Sequence, residues 1–414
     1  MTETLAETTS EAKEPLPEFP MPRAAGCPFE PPPAVRALHT ERPITRVRPW
    51  DGSAPWLVTR YADQRALLAD PRVSAENTLP GYPHANAGFR DNIEQRRSFV
   101  TMDDPEHARI RRMVTAPFAI KRIEAMRPDM QKITDDLIDT MLAGPTSVDL
   151  VHAFALPLPS LVICRLLGVP FEDHDFFQRN SSLLLTRHCS AEEAAGANEA
   201  LVDYLDGLVA VKLADPADDM LSELAARVTA GELTRREAAT TGVLLLLAGH
   251  ETTANMIALG TIALLEHPDQ LAVLRETDDP KVIAKAVEEL LRYLSIVQNG
   301  LRRVALADIE IGGETIRAGD GILLLTNTAN WDGEIFPEPE RLDIGRDARR
   351  HMAFGFGVHQ CLGQPLARVE LQVVYGTLFR RIPTLRLATG VDQLPFKEDS
   401  LAYGVYELPV TWAS

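Results

Sequence analysis

Residues 242 to 265, GVLLLLAGHETTANMIALGTIALL, constrain the fold more than any other stretch of this chain. The run is long enough to cross a bilayer, but His250, Glu251 and Asn255 interrupt its middle, where polar groups facing hydrocarbon are costly. The pattern therefore predicts a helix buried in protein, from about residue 234 to 267 and on the order of 50 Å long at 1.5 Å per residue. A helix that is apolar all round has to be wrapped by other elements. With 414 residues and 45% hydrophobic content, the chain can supply them.

Most of the remainder reads as helix, at roughly 119–143, 156–168, 171–187, 191–213, 217–229 and 281–295, with one more ending near Phe379. DPEHARIRRMV starts another, with Pro105 in its first turn. ITRVRPW and PWLVTRY flank Asp51-Gly52-Ser53 as a hairpin, and 301–326 alternates like a small sheet. The tail ELPVTW is strand-like. The expected fold is mainly α, one large unit over 21–414 with a long central helix and a small β-rich region. Residues 1–20, rich in acids and proline and without an apolar core, are expected to be a mobile tail, neither signal peptide nor anchor. Residues 71–104 form a longer loop than a connector needs, the kind that is functional or mobile.

The net charge of −17 argues against nucleic-acid binding, since phosphates are repelled. Four cysteines, Cys27, Cys164, Cys189 and Cys361, are scattered without disulfide or zinc spacing. That fits a reducing cytoplasm and no membrane attachment.

Cys361 is different from the other three. In AFGFGVHQCLG, residues 353–363, Gly355 and Gly357 permit backbone conformations and close approaches that a side chain blocks. Cys361 then stands at the entrance of the helix LGQPLARVELQVVYGTLF, where free N–H groups and the helix dipole favour thiolate. Packing as a free buried cysteine is the alternative. The spacing F-G-x-G-x-H-x-C-x-G, from Phe354 to Gly363, resembles the haem-binding loop of the cytochrome P450 superfamily. The resemblance extends from about residue 20 to the end. LPLPSLVICRLLGVP, AFGFGVHQCLGQPLAR and ELPVTW are most similar to soluble actinobacterial members that hydroxylate macrolides, sterol-like compounds and xenobiotics.

Three further motifs follow the family order. In AGHETT, Leu244, Ala248 and Thr252 share one helix face, and Gly249 costs about 1 kcal/mol relative to alanine. Thr252 bonding back to the Ala248 carbonyl is the purely structural possibility. The resemblance implies instead an oxygen pocket, with Gly249 leaving room for dioxygen, Thr252 orienting a proton and Glu251 relaying protons from bulk. Glu289-Leu-Leu-Arg292 with PEPERL resembles the family's Glu-Arg-Arg triad, with Arg341 as third member. In DPEHARIRR, His107 and Arg111 fall on one side of the helix; the resemblance sends them, with Arg303 and His359, to the haem propionates. Arg302 is the neighbouring alternative to Arg303. Phe354, Gly355, Gly363, Ala248 and Gly249 complete the implied haem contacts.

The implied activity is a haem-thiolate monooxygenase: haem b with Cys361 as axial iron ligand, O2 as co-substrate, and electrons from a ferredoxin and its reductase, because no flavin or nicotinamide motif is present. A peroxide-using enzyme, a nitric oxide reductase of the same fold, and a haem-based gas sensor or carrier are the rival readings. Leu244, Ala248, Val297 and Leu401 are expected to line a pocket for a bulky apolar molecule. The chain is expected to be a monomer. Arg109, Arg112, Arg349, Arg350 and Arg368 are expected to form a positive island for an acidic ferredoxin, against the alternative of ordinary solvated arginine.

Overall fold

The computed structural model describes residues 15–24, 26–91, 93, 98–185, 190–398 and 400–413. Most of the expected tail, five residues of the 71–104 loop, the end of the 171–187 helix and Cys189 lie outside the described residues.

The central helix is Arg235–Glu266. Thr234 and Glu237 open it with a capping box, each side chain taking the other's backbone N–H. It ends at His267, just before Pro268 begins the next helix, Pro268–Glu276. It is the only described helix long and apolar enough to cross a membrane, and 67% of that apolar window is buried inside the protein. Helices packed on it include Pro157–Leu167, Ala191–Ala214, Met220–Thr229 and Gln364–Arg381. The last approaches very closely. A Cβ on Gly260 would lie 1.9 Å from the Tyr375 hydroxyl, which donates to the Met256 carbonyl at 2.6 Å. Glycine at 260 is what lets this helix, the one that follows Cys361, dock on the central one. One cluster of buried apolar side chains runs from Phe99 to Trp412.

The β-rich region holds a five-stranded sheet in the order Ile44–Arg46, Trp56–Val58, Gly321–Leu324, Leu301–Ala305, Val73–Ser74. The hairpin pairs Ile44 with Val58 and Arg46 with Trp56 across the connecting residues 47–55. Trp56–Val58 and Gly321–Leu324 run parallel, so the N-terminal hairpin is joined to a segment more than 260 residues away. Ser147–Asp149, Pro409–Thr411 and Arg386–Leu387 form a second sheet that ties the C-terminal strand to the core.

Several boundaries differ from the sequence reading. Packing begins at Pro17 rather than at residue 21: Phe19 is buried, and its N–H donates to the Arg48 carbonyl at 2.8 Å. The 119–143 segment is two helices, Ile120–Ala125 and Arg127–Ala143, the second with Pro128 in its first turn. Pro33–Glu41 and Pro268–Glu276 are further helices, each starting on a proline. Within the long loop, Val73–Ser74 is an edge strand and Ala87–Asp91 a helical turn.

Candidate active site

The cysteine loop takes its shape from two left-handed glycines, Gly355 and Gly357, with φ of 69° and 76°. At Gly357 a Cβ would meet the Leu68 carbonyl oxygen at 2.2 Å, so only glycine fits. The turn closes when the Cys361 N–H donates to the Phe354 carbonyl at 2.8 Å. Burial pushes the Cys361 thiol up, against the N–H groups of Gly363 and Gln364 and the charges of Arg111 and Arg368, which favour thiolate. By surface area the residue is nevertheless exposed. Both observations hold for a sulfur enclosed by protein and facing an internal hollow.

The central helix has a matching open face. Leu245, Leu246, His250 and Thr253 are buried, whereas Ala248 is exposed and Leu244, Leu247, Glu251 and Thr252 are half-exposed. Thr252 donates to the Ala248 carbonyl at 2.7 Å, which leaves its hydroxyl oxygen as an acceptor on that face. Gly249 corrects the sequence reading. Its Cβ direction meets the Ile163 side chain at 3.1 Å, so this glycine serves the packing of Pro157–Leu167 against the central helix, and Ala248 is the small residue on the open side.

Between the Glu106–Thr115 helix and the cysteine loop lies a cluster of basic side chains. The rings of His107 and His359 are 4.1 Å apart. Asp104 binds His107 Nδ1 at 2.9 Å, while His107 Nε2 and His359 Nδ1 are buried without hydrogen-bond partners. Arg303 is 8% exposed and has no ion pair among the described residues. Burial, then Arg303, His107 and Arg111, lower the His359 pKa to about 3. Buried ring nitrogens that lack partners, gathered around a buried arginine without an ion pair among the described residues, fit an anionic ligand such as a carboxylate. A haem group would satisfy both halves of the site, with these basic side chains holding its carboxylates and Cys361 its iron. Both Arg302 and Arg303 act on Tyr82, but Arg303 is the one that acts on His359, whereas Arg302 acts on His84. Arg111 donates from Nη2 to the Gln360 carbonyl at 2.5 Å and so braces the cysteine loop.

Two ion-pair systems support that loop. Glu289 and Arg292 are fully buried and bidentate, at 2.7 and 2.8 Å. The third member is Arg346, 3.2 Å from Glu289, and not Arg341. Arg341 faces outward to Glu338 and contributes only its carbonyl, because the turn from Asp343 to Arg346 brings the Arg346 guanidinium to Glu289 instead. Glu288 binds Arg368 and His351, and Arg368 stacks 4.6 Å over Phe354. Arg368 is therefore no part of an exposed island. Arg109 is paired with Glu106 and Glu237, and Arg349 with Asp347. Arg112 and Arg350 are exposed without ion pairs among the described residues, and Arg65 stacks 4.0 Å over Phe356 near the exposed Val358.

The residues expected to line the pocket include two that lie on adjoining segments. Val297 and Ala402 form an antiparallel bridge, and Tyr403 N–H donates to the Ile296 carbonyl at 2.8 Å. Leu401 is exposed beside them. The unforeseen residue is Lys397, a buried lysine that reaches Glu251 at 2.5 Å. No sequence pattern linked positions 146 residues apart.

A family model described as cytochrome P450 matches residues 197–402. The chain is 60% identical over 414 residues to cytochrome P450 GfsF of Streptomyces halstedii, covering all of both chains. The crystal structure of GfsF superposes with a TM-score of 0.92 at 61% identity, covering 96% of this chain and all of that one. The mycinamicin VIII C21 methyl hydroxylase MycCI of Micromonospora griseorubida, bound to mycinamicin VIII, superposes at 0.89 with 44% identity over 96% of this chain and all of that one.

Proposed function

The chain belongs to the cytochrome P450 family and is a monooxygenase, and from that premise we propose that it oxidises a bulky apolar molecule of the macrolide type in the cytoplasm, as a monomer, with electrons from a ferredoxin and its reductase. The balanced reaction is RH + O2 + 2 e− + 2 H+ → ROH + H2O. Haem b held through Cys361 supplies the oxygen-activating redox chemistry.

The observation that carries this reading is the sulfur of Cys361 beside the unpartnered buried ring nitrogens of His107 and His359 and the buried Arg303, which has no ion pair among the described residues. Those residues bind and orient the group. Phe354, Gly355 and Gly363 shape the loop around it. Leu244, Ala248, Val297 and Leu401 offer an apolar wall to substrate, consistent with a macrolide ligand in the related MycCI. Thr252 presents a hydroxyl and Glu251 a carboxylate on the open helix face, where protons must enter. Arg65 over Phe356 and the exposed Arg112, Arg350 and Val358 are the basic and apolar groups available to an acidic ferredoxin.

The reduced carbonyl complex is the first test. It is expected to show the strongly red-shifted Soret band of thiolate ligation, and Cys361→His to abolish it; an imidazole-type spectrum in the parent protein overturns the assignment. Spin-state titration with mycinamicin VIII and other macrolides, followed by product analysis, then tests the substrate class. Absence of a shift with every macrolide, alongside a shift with small terpenoids, rejects it.

A further inference from the structure

Lys397 has no role in the reading above, and its surroundings are unusual for a lysine. Its side chain is 10% exposed, and its ammonium must be paired to stay there. Nζ reaches Glu251 Oε1 at 2.5 Å and Asn255 Oδ1 at 3.1 Å, and Asn255 Nδ2 donates to the same Glu251 oxygen at 3.3 Å. Glu251 and Asn255 are one turn apart on the central helix, whereas Lys397 arrives from the C-terminal segment. Gly404 completes the fit: a Cβ there would lie 2.1 Å from Asn255 Oδ1, and its carbonyl accepts the Lys397 N–H at 2.8 Å.

We propose that Lys397 is a positioning residue for proton delivery, clamping Glu251 by Oε1 so that Oε2 is the oxygen that exchanges protons toward the Thr252 face. Both donors converge on Oε1, and Oε2 has no hydrogen bond among the described residues. Without the clamp, the carboxylate is free to rotate about its own side chain, and the proton route is open for a smaller fraction of the time. The segment that carries the clamp also carries the pocket wall. Ala402 bridges to Val297, and Gln298 holds the carbonyls of Lys397, Glu398 and Ser400. Whatever presses on Leu401 and Ala402 therefore presses on the segment that fixes Glu251.

This inference rests on the proton-relay role of Glu251, and the experiment separates the two. Holoenzyme is reduced through a [2Fe–2S] ferredoxin and its reductase without added substrate, where O2 goes to H2O2 with two electrons and two protons or to two H2O with four of each. Oxygen uptake is followed in H2O and D2O, and formation of the reduced carbonyl complex reports electron entry alone. Lys397→Met is expected to slow uptake about threefold and to raise the solvent isotope effect, a modest share of what acid–base catalysis contributes. Carbonyl-complex formation should be unchanged, and Lys397→Arg should restore the parent behaviour. In a Glu251→Gln background, Lys397→Met should add nothing. Should the methionine variant lose haem, Lys397→Gln carries the same expectation. A double-mutant cycle on the thermal midpoint of the holoenzyme should show that the Glu251→Gln and Lys397→Met losses do not add. If Glu251→Gln itself changes neither uptake nor isotope effect, the relay reading fails. If it does change them while the Lys397 variants match the parent, or act equally in both backgrounds, the clamp is overturned.

Discussion

The cysteine side of the site and the helix side are built on different principles. Around Cys361, buried charge is paired twice over: Glu289 with Arg292 and Arg346, and Glu288 with Arg368 and His351. Left-handed glycines and a backbone contact at Gly357 leave that loop one conformation. Around Thr252, the buried pair Lys397–Glu251 ties the C-terminal segment to the central helix, and Val297 bridges to Ala402. Rigidity is concentrated where a metal ligand has to stay fixed. The helix side is held by the longer-range Lys397–Glu251 pair and the Val297–Ala402 bridge, and loop segments of that kind can vary without disturbing the cysteine loop.

The sharpest way to break this contrast is to cut the buried pair beneath the cysteine. Glu289→Gln leaves Arg292 buried and half-satisfied, and should cost about 3–5 kcal/mol with loss of bound haem, whereas Arg341→Ala on the exposed side should stay within about 0.5 kcal/mol. Urea unfolding with haem quantitation checks both, and equal costs would remove Arg346 as the third member.

Acid should expose the second pair. Burial raises the Glu288 carboxyl, but His351 and Arg368 outweigh it and hold its pKa at about 2, below its ordinary 4.5. A depressed carboxylate contributes stability that is complete above about pH 4.5 and fades as pH falls toward 2, by up to about 3 kcal/mol at 1.36 kcal/mol per unit. Glu288→Gln should flatten the thermal midpoint across that window; an unchanged acid limb rejects the assignment.

On the helix side, Thr252→Ala should leave haem content and spin-state titration nearly unaltered. Product per electron should fall about tenfold, equivalent to about 1.4 kcal/mol, with the electrons recovered as H2O2. Unchanged coupling excludes Thr252 from proton handling, and loss of haem makes it structural. The smallest effect concerns the surface. Arg112→Glu should slow ferredoxin-driven reduction a few-fold at low ionic strength and leave reduction by dithionite alone. Equal rates rule out Arg112 as a docking contact.

Much of the cysteine side was legible from residue order. A left-handed turn needs glycine at fixed offsets, and a cysteine at a helix entrance is a local arrangement, so the loop, the Glu289–Arg292 spacing and the His107 helix are all carried by neighbours in the chain. The central helix was legible for the same reason, since its length and its polar interruption at 250–255 are properties of one continuous run. What the sequence left open is which charges meet across long separations. Arg346 rather than Arg341 closes on Glu289, since Asp343 N–H binds Glu289 Oε1 and the turn from Asp343 to Arg346 returns the Arg346 guanidinium to the same oxygen. Arg368 turns inward to Glu288, Gly249 faces Ile163, and Lys397 crosses 146 residues to Glu251. Helical and strand periodicity state which face a residue occupies, but the partner on the facing element is set by how loops route the chain. That routing is decided by packing of the whole core, so only the tertiary structure could pair these charges.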